Sequence, residues 1–245
     1  MSDSKRLFIG ARVSVATANA LAGAAETLAR RARDAGIDIR WVAPVNYHLT
    51  FKFLGHTREA AIPAVRDALE QATQDTPRIT FRTTRLGAFP SLENARVVWA
   101  GVEDGGATVE LARRIEGALG ALGYPAEHAF HPHVTIARVR ETRPLRDLVL
   151  PLAEQMFGDT RIDSLVLFES ETKSSGSVYL ELCRIPFKTA QNAARSASER
   201  QTSALQLGDR KPRSTDQLNE PNHTDQPDVT DETDDGWPRG HVPNT

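Results

Sequence analysis

Two short motifs in this chain combine residue types that could transfer protons. Both read histidine, apolar residue, threonine, apolar residue, and both lie in runs typical of β-strands. Side chains alternate between the faces of a strand, so the histidine and threonine of each motif share one face. A single copy is usually a strand with an incidental histidine, but two copies in similar surroundings predict two lobes with a site between them. The motif residues are His48, Leu49, Thr50, Phe51, His133, Val134, Thr135 and Ile136.

Two imidazoles that face one cleft can act as an acid and a base near neutral pH, because histidine titrates near ~6.5. One takes a proton from a nucleophile while the other gives a proton to a leaving group. Each positioned transfer typically contributes about 10²–10⁴ in rate. Threonine hydroxyls on the same face can donate to an anionic oxygen. The set predicts in-line displacement at a phosphodiester, with the apolar residues of each motif anchoring its strand.

Apolar patterning predicts the elements that must position these motifs. Strands are expected over 7–13, 39–42, 47–54, 79–86, 96–102, 130–139, 161–168 and 178–185. Helices are expected over 17–35, 57–74 and 106–122, each with apolar residues spaced for one face. The order mixes strands and helices without a regular βα repeat. It favours an α+β fold of two sheets, each backed by helices.

Charge divides the chain into a body and a tail. Residues 189–245 carry ten acidic against six basic side chains, whereas residues 1–188 carry 22 acidic and 24 basic ones. A nearly neutral body argues against a wide nucleic-acid groove but leaves recognition of one phosphate or a short end open. The tail is sparse in apolar residues, so we expect it to be disordered. Its Trp237 could form a docking motif, and we assign no role to His223 or His241.

The cysteine content, the N-terminal residues and the length of the apolar runs predict the cellular location. Cys183 is the single cysteine, which excludes an intrachain disulfide and fits a reducing cytoplasm. The chain begins without a signal-peptide pattern, and no apolar run approaches the length of a membrane span. We therefore expect a soluble cytoplasmic monomer that does not bind membranes.

Six segments make the chain resemble a known family. In chain order they are RWVAP at 40–44, HLTFKFLG at 48–55, LGAFP at 86–90, RVVWAGV at 96–102, FHPHVTIAR at 130–138 and LFES at 167–170. They resemble the two-histidine (2H) phosphoesterases, and within them the RNA 2',3'-cyclic phosphodiesterases, also called 2'-5' RNA ligases. The resemblance covers residues 5–187. It implies a bilobal α+β fold with antiparallel sheets, outer helices, a central cleft and pseudo-twofold symmetry.

The resemblance also implies an activity without a metal or other cofactor. It implies hydrolysis of terminal RNA 2',3'-cyclic phosphates to 2'-phosphates, with His48 protonating the departing 3' oxygen and His133 activating water. Thr50 and Thr135 would hold phosphate oxygens, and Arg138 would assist them. Some family members join RNA ends reversibly through 2'-5' bonds, and whether this chain does so stays open.

Two basic residues that follow the motifs have more than one interpretation. Strand parity puts Arg138 on the face opposite His133, so it either forms a surface ion pair or reaches phosphate through a bulge or twist. Lys52 has the parity of His48, and we expect it to be solvated. We also expect Leu49, Phe51 and Phe53 to pack together on the core face under a helix.

The remaining histidines and aromatic residues suggest weaker alternatives. His131 and His133 form an H-x-H pair, and with His128 as a third ligand they could bind zinc, although no cysteine or carboxylate cluster completes the site. His56 is expected to be exposed. Nucleobase stacking is a further option for aromatic residues near the motifs. Of these, Trp99 is expected in the core, while Trp41 and Phe89 border loops.

Two other functions remain open at this point. The fold could bind phosphorylated RNA ends without turning them over, although binding alone needs no proton donor opposite an acceptor. The same chemistry could instead act on small cyclic nucleotides or 2'-5' linked nucleotides, because the body has little net positive charge.

Overall fold

The computed structural model describes residues 3–126, 129–173 and 176–187, without the side chain of Lys173. The tail predicted over 189–245, with Trp237, His223 and His241, lies outside the described residues, as does His128. All the described residues belong to one compact unit.

Nine strands form a single sheet in which every pairing between described strands is antiparallel. They are β1 (Ser4–Arg12), β2 (Ile39–Trp41), β3 (His48–Arg58), β4 (Ile79–Phe89), β5 (Ala95–Glu103), β6 (His133–Arg143), β7 (Met156–Ile162), β8 (Ser164–Lys173) and β9 (Gly176–Pro186). The order is β7-β4-β5-β6-β3-β1-β8-β9, and β2 pairs with β6. The two motif strands are the central pair, with three strands outside each.

The arrangement confirms the expected α+β class and the two equivalent halves. The two predicted sheets are joined into one because β3 pairs with β6, at Leu49 opposite Val134. Each half is otherwise held by its own longer ladders. The sheet therefore consists of two lobes that meet where β3 pairs with β6.

Four α-helices accompany the sheet among the described residues: α1 (Val15–Asp34), α2 (Ile62–Ala72), α3 (Ala107–Gly120) and α4 (Arg146–Val149). The predicted apolar face of α1 is buried, including Leu21 and Leu28, and each buried leucine contributes about 1.5–3 kcal/mol. Ser14 begins this helix, because its hydroxyl accepts a hydrogen bond from the Thr17 amide.

The second predicted helix begins later than expected. Residues 57 and 58 still belong to β3, and α2 begins at Ile62 with Pro63 in its first turn. Gly55, which was expected to end the motif strand, has φ +66° and lets β3 continue with a shifted register. The helix is therefore shorter and the strand longer than the apolar pattern predicts.

An extra residue follows each motif threonine and reverses the alternation of the strand. On β3, Thr50 lies opposite Gly10 and Lys52 lies opposite Ile9, so Phe51 has no partner across the ladder. On β6, Ile136 is left out in the same way, between Thr135 opposite Trp99 and Ala137 opposite Val98. Each site is a bulge, after which the side chains change faces.

The bulge on β3 contradicts two expectations from strand parity. Lys52 was expected to be solvated, but its side chain is 1% exposed. Phe53 was expected to pack in the core with Leu49 and Phe51, but it is 52% exposed, while the other two are buried. The cause is that Phe51 and Lys52 point to the same side in succession.

No helix among the described residues is long and apolar enough to cross a membrane. Cys183 is a free, half-buried thiol, and its burial raises the pKa of that thiol.

Candidate active site

The central strand pair brings the two motifs together. An antiparallel pairing of Leu49 with Val134 places His48 beside Thr135 and Thr50 beside His133 when the register is continued by one residue. These four motif side chains line one cavity of about 1440 Å³. The predicted histidines and threonines therefore lie around one space, as their pattern indicated.

Both catalytic candidates are held in the same orientation by the backbone. His48 Nδ1 lies 2.6 Å from the carbonyl oxygen of Asn46, and His133 Nδ1 lies 2.6 Å from that of His131. A carbonyl oxygen only accepts, so Nδ1 carries the hydrogen and donates in both rings. The free Nε2 of each neutral ring is then an acceptor.

The carbonyl that orients His48 is itself fixed. Asn46 is buried at the end of the short 3₁₀ turn Pro44–Asn46, and its Nδ2 donates to the carbonyl oxygen of Ser177 at 2.8 Å. Ser177 belongs to β9 at the far edge of the same lobe. The orientation of His48 therefore depends on β9 as well as on its own strand.

His48 lies against an aromatic wall. Its ring centroid is 4.8 Å from that of Phe8, 5.2 Å from that of Tyr179 and 6.1 Å from that of Phe168. Phe8 and Phe168 stack on each other at 4.9 Å, with 17° between their planes. Sequence reasoning did not identify this wall, although Phe168 lies in one of the segments that carry the family resemblance.

A glycine makes the close approach of His48 to β1 possible. A Cβ atom at Gly10 would lie 2.8 Å from the Leu49 carbonyl oxygen and 3.3 Å from Cδ2 of His48. The first of these contacts is with backbone and cannot be relieved by turning a side chain. Any other residue at position 10 would therefore collide with the Leu49 carbonyl oxygen and press on the ring of His48.

His133 has a more open setting on the other lobe. Phe89 meets its ring edge-on, with centroids 5.0 Å apart and planes at 82°. Phe89, the last residue of β4, lines the cavity, whereas Trp41 and Trp99 are not among the residues that line it. Trp99 packs instead across Gly87, whose position leaves room for the indole, and beside Phe89 at 5.2 Å.

Burial lowers the pKa of both His48 and His133, and it lowers that of His48 more. Desolvation lowers the pKa of His48 to about 4, helped by the positive charges of Arg12, His133 and Arg138 and opposed by the bond to Asn46. Desolvation also lowers the pKa of His133, with smaller contributions from His131 and Arg138. Both rings are therefore mainly neutral at pH 7 before an anion binds, and His48 holds a proton more weakly.

Arg138 lines the cavity with both histidines. Simple parity placed it on the opposite face, but the bulge at Ile136 returns it to the face of His133 and Thr135. Its charge contributes to the lowered pKa of both histidines.

Lys52 is a second basic residue beyond a motif, and its contacts differ from those of Arg138. Its Nζ donates to Glu116 Oε1 at 2.8 Å and to the carbonyl oxygen of Pro125 at 2.7 Å. Phe53, the next residue, lines the cavity. Strict alternation predicts an exposed Lys52 and a buried Phe53, and the structure shows the reverse.

The described residues cover only part of the zinc site considered for His128, His131 and His133. They contain no group of three or more histidine, cysteine, aspartate or glutamate side chains arranged to bind a metal. His131 lines the cavity, and its carbonyl serves His133, while His128 lies outside the described residues. His56 is exposed on β3, as expected, although in a strand and not in a turn.

Comparison with known proteins identifies related sequences. A profile of the 2'-5' RNA ligase superfamily matches residues 18–174. A protein of Aeropyrum pernix named RNA 2',3'-cyclic phosphodiesterase is 34% identical over 157 residues, covering 61% of this chain and 87% of the relative. A protein of the same name from Archaeoglobus fulgidus is 30% identical over 145 residues, covering 59% and 81%.

Solved structures share the fold. A crystal structure of a Thermus thermophilus protein superposes with a TM-score of 0.63 at 25% identity, covering 76% of this chain and 99% of that one. The crystal structure of Escherichia coli LigT complexed with 3'-AMP gives a TM-score of 0.56 at 21% identity, covering 77% and 100%. The expected fold class is confirmed by these neighbours and by the strand order.

Proposed function

The chain belongs to the 2'-5' RNA ligase superfamily, and on that premise we propose that it hydrolyses RNA 2',3'-cyclic phosphate ends to 2'-phosphomonoesters. The observation that carries the proposal is the pair of Nδ1-anchored imidazoles lining one cavity with two threonines. The names of its relatives from Aeropyrum pernix and Archaeoglobus fulgidus support the choice of substrate.

The proposed reaction is an in-line displacement at phosphorus. His133 Nε2 takes a proton from water as the water oxygen bonds to phosphorus. The bond from phosphorus to the 3' oxygen breaks, and His48 Nε2–H gives its proton to that oxygen. The 2' oxygen keeps its bond, so the product is a 2'-phosphate with a free 3'-hydroxyl. Each proton transfer is expected to contribute about 10²–10⁴ in rate.

The acid role requires His48 to gain a proton that its aromatic surroundings oppose. A phosphodiester anion held beside the ring favours the charged form and raises its pKa. Substrate binding is thus coupled to proton uptake, and a pKa of about 4 keeps the ring neutral until the anion arrives. His133 needs no such change, because a base must be neutral at the start of the reaction.

Three side chains are proposed to hold the phosphate. Thr50 and Thr135 lie on the faces of the two histidines and can donate hydroxyl hydrogens to non-bridging oxygens. Arg138 can add a charge-assisted hydrogen bond to the same oxygens. The histidines supply both proton transfers, so this reaction as proposed needs no metal or other cofactor.

The cavity volume favours a second activity at the same site. At about 1440 Å³ it exceeds the range of roughly 300–1,000 Å³ for sites that take small ligands. A 5'-hydroxyl of a second RNA end in the place of water would give a 2'-5' bond by the same proton transfers. We propose reversible 2'-5' joining as this second activity. We also propose that the protein acts as a monomer, because one chain supplies both histidines, and that it is cytoplasmic, because Cys183 is a free thiol.

The decisive experiment identifies the product isomer. The protein is incubated with an RNA ending in 2',3'-cyclic phosphate in the presence of EDTA, with the double variant His48→Ala/His133→Ala as the control for contaminating nuclease. We expect the wild type alone to release the 2'-phosphate. A 3'-phosphate would overturn the assigned acid and base roles. A tight complex without product would support a binding module, and activity restored only by zinc would support a metal site.

A further inference from the structure

The wall of the cavity contains two arginines that have no acidic partner among the described residues. Its arginines are Arg6, Arg113 and Arg138. Arg113 is paired with Glu110, to which it donates hydrogen bonds of 2.7 and 2.8 Å. In the described part of the chain, neither Arg6 nor Arg138 forms an ion pair. Both of these positive charges are therefore available to anions that enter the cavity.

These two arginines follow the motif strands in opposite directions. β3 and β6 are antiparallel, so the residues after each motif lead away from the centre of the cavity to opposite ends. Arg138 follows the second motif on β6, whereas Arg6 lies opposite His56, which follows the first motif on β3. A strand rises about 3.3 Å per residue, so Arg6 is about 13 Å along β1 from Gly10, which faces Thr50. The phosphate that Arg138 is proposed to hold therefore leaves Arg6 for another anion.

Arg6 shares its end of the cavity with a hydroxyl group and an aromatic ring. The ladder between β1 and β8, continued by one residue beyond Leu7, places Arg6 opposite Ser170. The Cβ atoms of such cross-strand neighbours lie about 4.5–5.5 Å apart. Ser170 and Phe53 also line the cavity. A guanidinium and a hydroxyl can both donate to a phosphodiester oxygen, and the ring beside them suits a base.

We propose that Arg6, together with Ser170, binds a phosphodiester of the RNA strand that ends in the cyclic phosphate. Cations without an acidic partner at both ends of one cavity fit a ligand that carries more than one phosphate. A nucleoside 2',3'-cyclic phosphate carries a single phosphate, so this subsite favours an RNA strand over a small cyclic nucleotide. The inference rests on the proposed RNA substrate, but it concerns binding and can be tested without turnover.

The test measures binding of a short RNA that ends in a 2'-phosphate, the proposed product, to wild type and Arg6→Met over a range of salt concentrations. Each phosphate contact on a single strand contributes about −0.7 to the slope of log affinity against log salt concentration. We expect the variant slope to be shallower by about 0.7 and its affinity at low salt to fall about fivefold. Its affinity for a nucleoside 2'-phosphate should match that of the wild type, because this ligand has no second phosphate.

Two further variants separate this contact from a general effect of charge. Arg58→Met removes an exposed arginine of β3 that does not line the cavity, and it should keep the wild-type slope. Arg6→Lys keeps the charge and should keep most of the slope. Arg6 is itself exposed, so these replacements spare the core.

Two results would overturn the inference. One is a wild-type salt slope in Arg6→Met, and the other is an equal loss of affinity for the RNA and for the nucleoside 2'-phosphate. Failure of the proposed function would look different, because the wild type would bind the RNA with the expected slope yet leave cyclic-phosphate RNA unhydrolysed.

Discussion

The two motif strands share their backbone design but not their surroundings. On both β3 and β6 the histidine donates Nδ1–H to the carbonyl oxygen two residues earlier, and on both a bulge follows the motif threonine. Around His48 lie three aromatic rings, whereas His133 meets Phe89 and is more accessible. The duplicated backbone determines where each Nε2 points, and the neighbours determine how readily it holds a proton.

The second residue after the unpaired residue of each bulge shows the same division. Phe53 follows the bulge in the first lobe, and Arg138 holds the matching position in the second. Both line the cavity, one with a ring and the other with a cation. Under the proposed function, Phe53 would face a base or sugar of the RNA end and Arg138 would face its phosphate.

The strongest test of this comparison removes each histidine in turn. His48→Ala and His133→Ala are each expected to lower turnover on cyclic-phosphate RNA by on the order of 10² or more. A substrate with sulfur in place of the 3' oxygen needs little help from an acid, because thiolate is a good leaving group. It should restore His48→Ala far more than His133→Ala. Equal rescue of both variants would contradict their different roles.

The unequal pKa values should also appear in stability. An unfolded histidine titrates near ~6.5, while burial holds folded His48 at about 4, so the unfolded state takes up the proton first as pH falls. The stabilisation by neutral His48 is complete above ~6.5 and is lost towards pH 4, by at most about 3 kcal/mol. Urea unfolding of wild type between pH 7 and 4.5 measures this loss.

Single variants show how much of the loss of stability at low pH comes from His48 and how much from His133. His48→Gln should flatten the dependence of the free energy of unfolding on pH more than His133→Gln does, because His48 is the more strongly desolvated ring. His56→Gln changes an exposed histidine of the same strand and serves as the control. Curves for the two motif variants that coincide would remove the distinction between the lobes.

A smaller effect is expected for Arg138→Met. Loss of one charge-assisted hydrogen bond of about 1.5 kcal/mol would raise KM for cyclic-phosphate RNA about tenfold. The pKa of both histidines should rise, because the charge of Arg138 lowers each of them, and NMR titration measures that change. Arg140→Met is the matched control, since Arg140 on the same strand pairs with Asp38 at 3.3 Å. Identical kinetics in the two variants would refute phosphate binding by Arg138.

The smallest effect is expected for Phe53→Leu. Losing one ring against a nucleobase is worth about 1 kcal/mol, or roughly fivefold in KM. Phe53→Tyr keeps the ring and should resemble the wild type. Steady-state kinetics on an RNA end with and without its terminal base separate the two possibilities. A loss that persists on the abasic end would place Phe53 away from the base.

The main features of fold and site follow from local patterns, and the differences follow from the two bulges. Alternation and helical spacing locate eight of the nine described strands, all but β7, together with α1 and α3, and the repeated His-x-Thr order identifies four of the residues that line the cavity. Parity fails at Lys52 and Phe53 because one extra residue in a ladder changes every later side chain. The register of β3 is set by its pairing with β1, and the local sequence of β3 carries no information about that pairing.

The unequal pKa values of the histidines could not be predicted for a related reason. The aromatic wall around His48 is assembled from Phe8 on β1, Phe168 on β8 and Tyr179 on β9, which are far apart in the chain. Their convergence depends on a strand order that crosses the sequence order. The motifs themselves are nearly identical in both lobes and give no sign of the difference.

Gly10 gives the site an unusual kind of vulnerability. One added carbon at position 10 would lie 2.8 Å from the Leu49 carbonyl oxygen and 3.3 Å from the ring of His48. Libraries built to change the substrate of this protein should therefore leave position 10 constant, and they can vary the exposed Phe53 with less risk to the fold than the buried Phe8 and Phe168. The missing Cβ of Gly10 thus restricts the sequences that this site can accept.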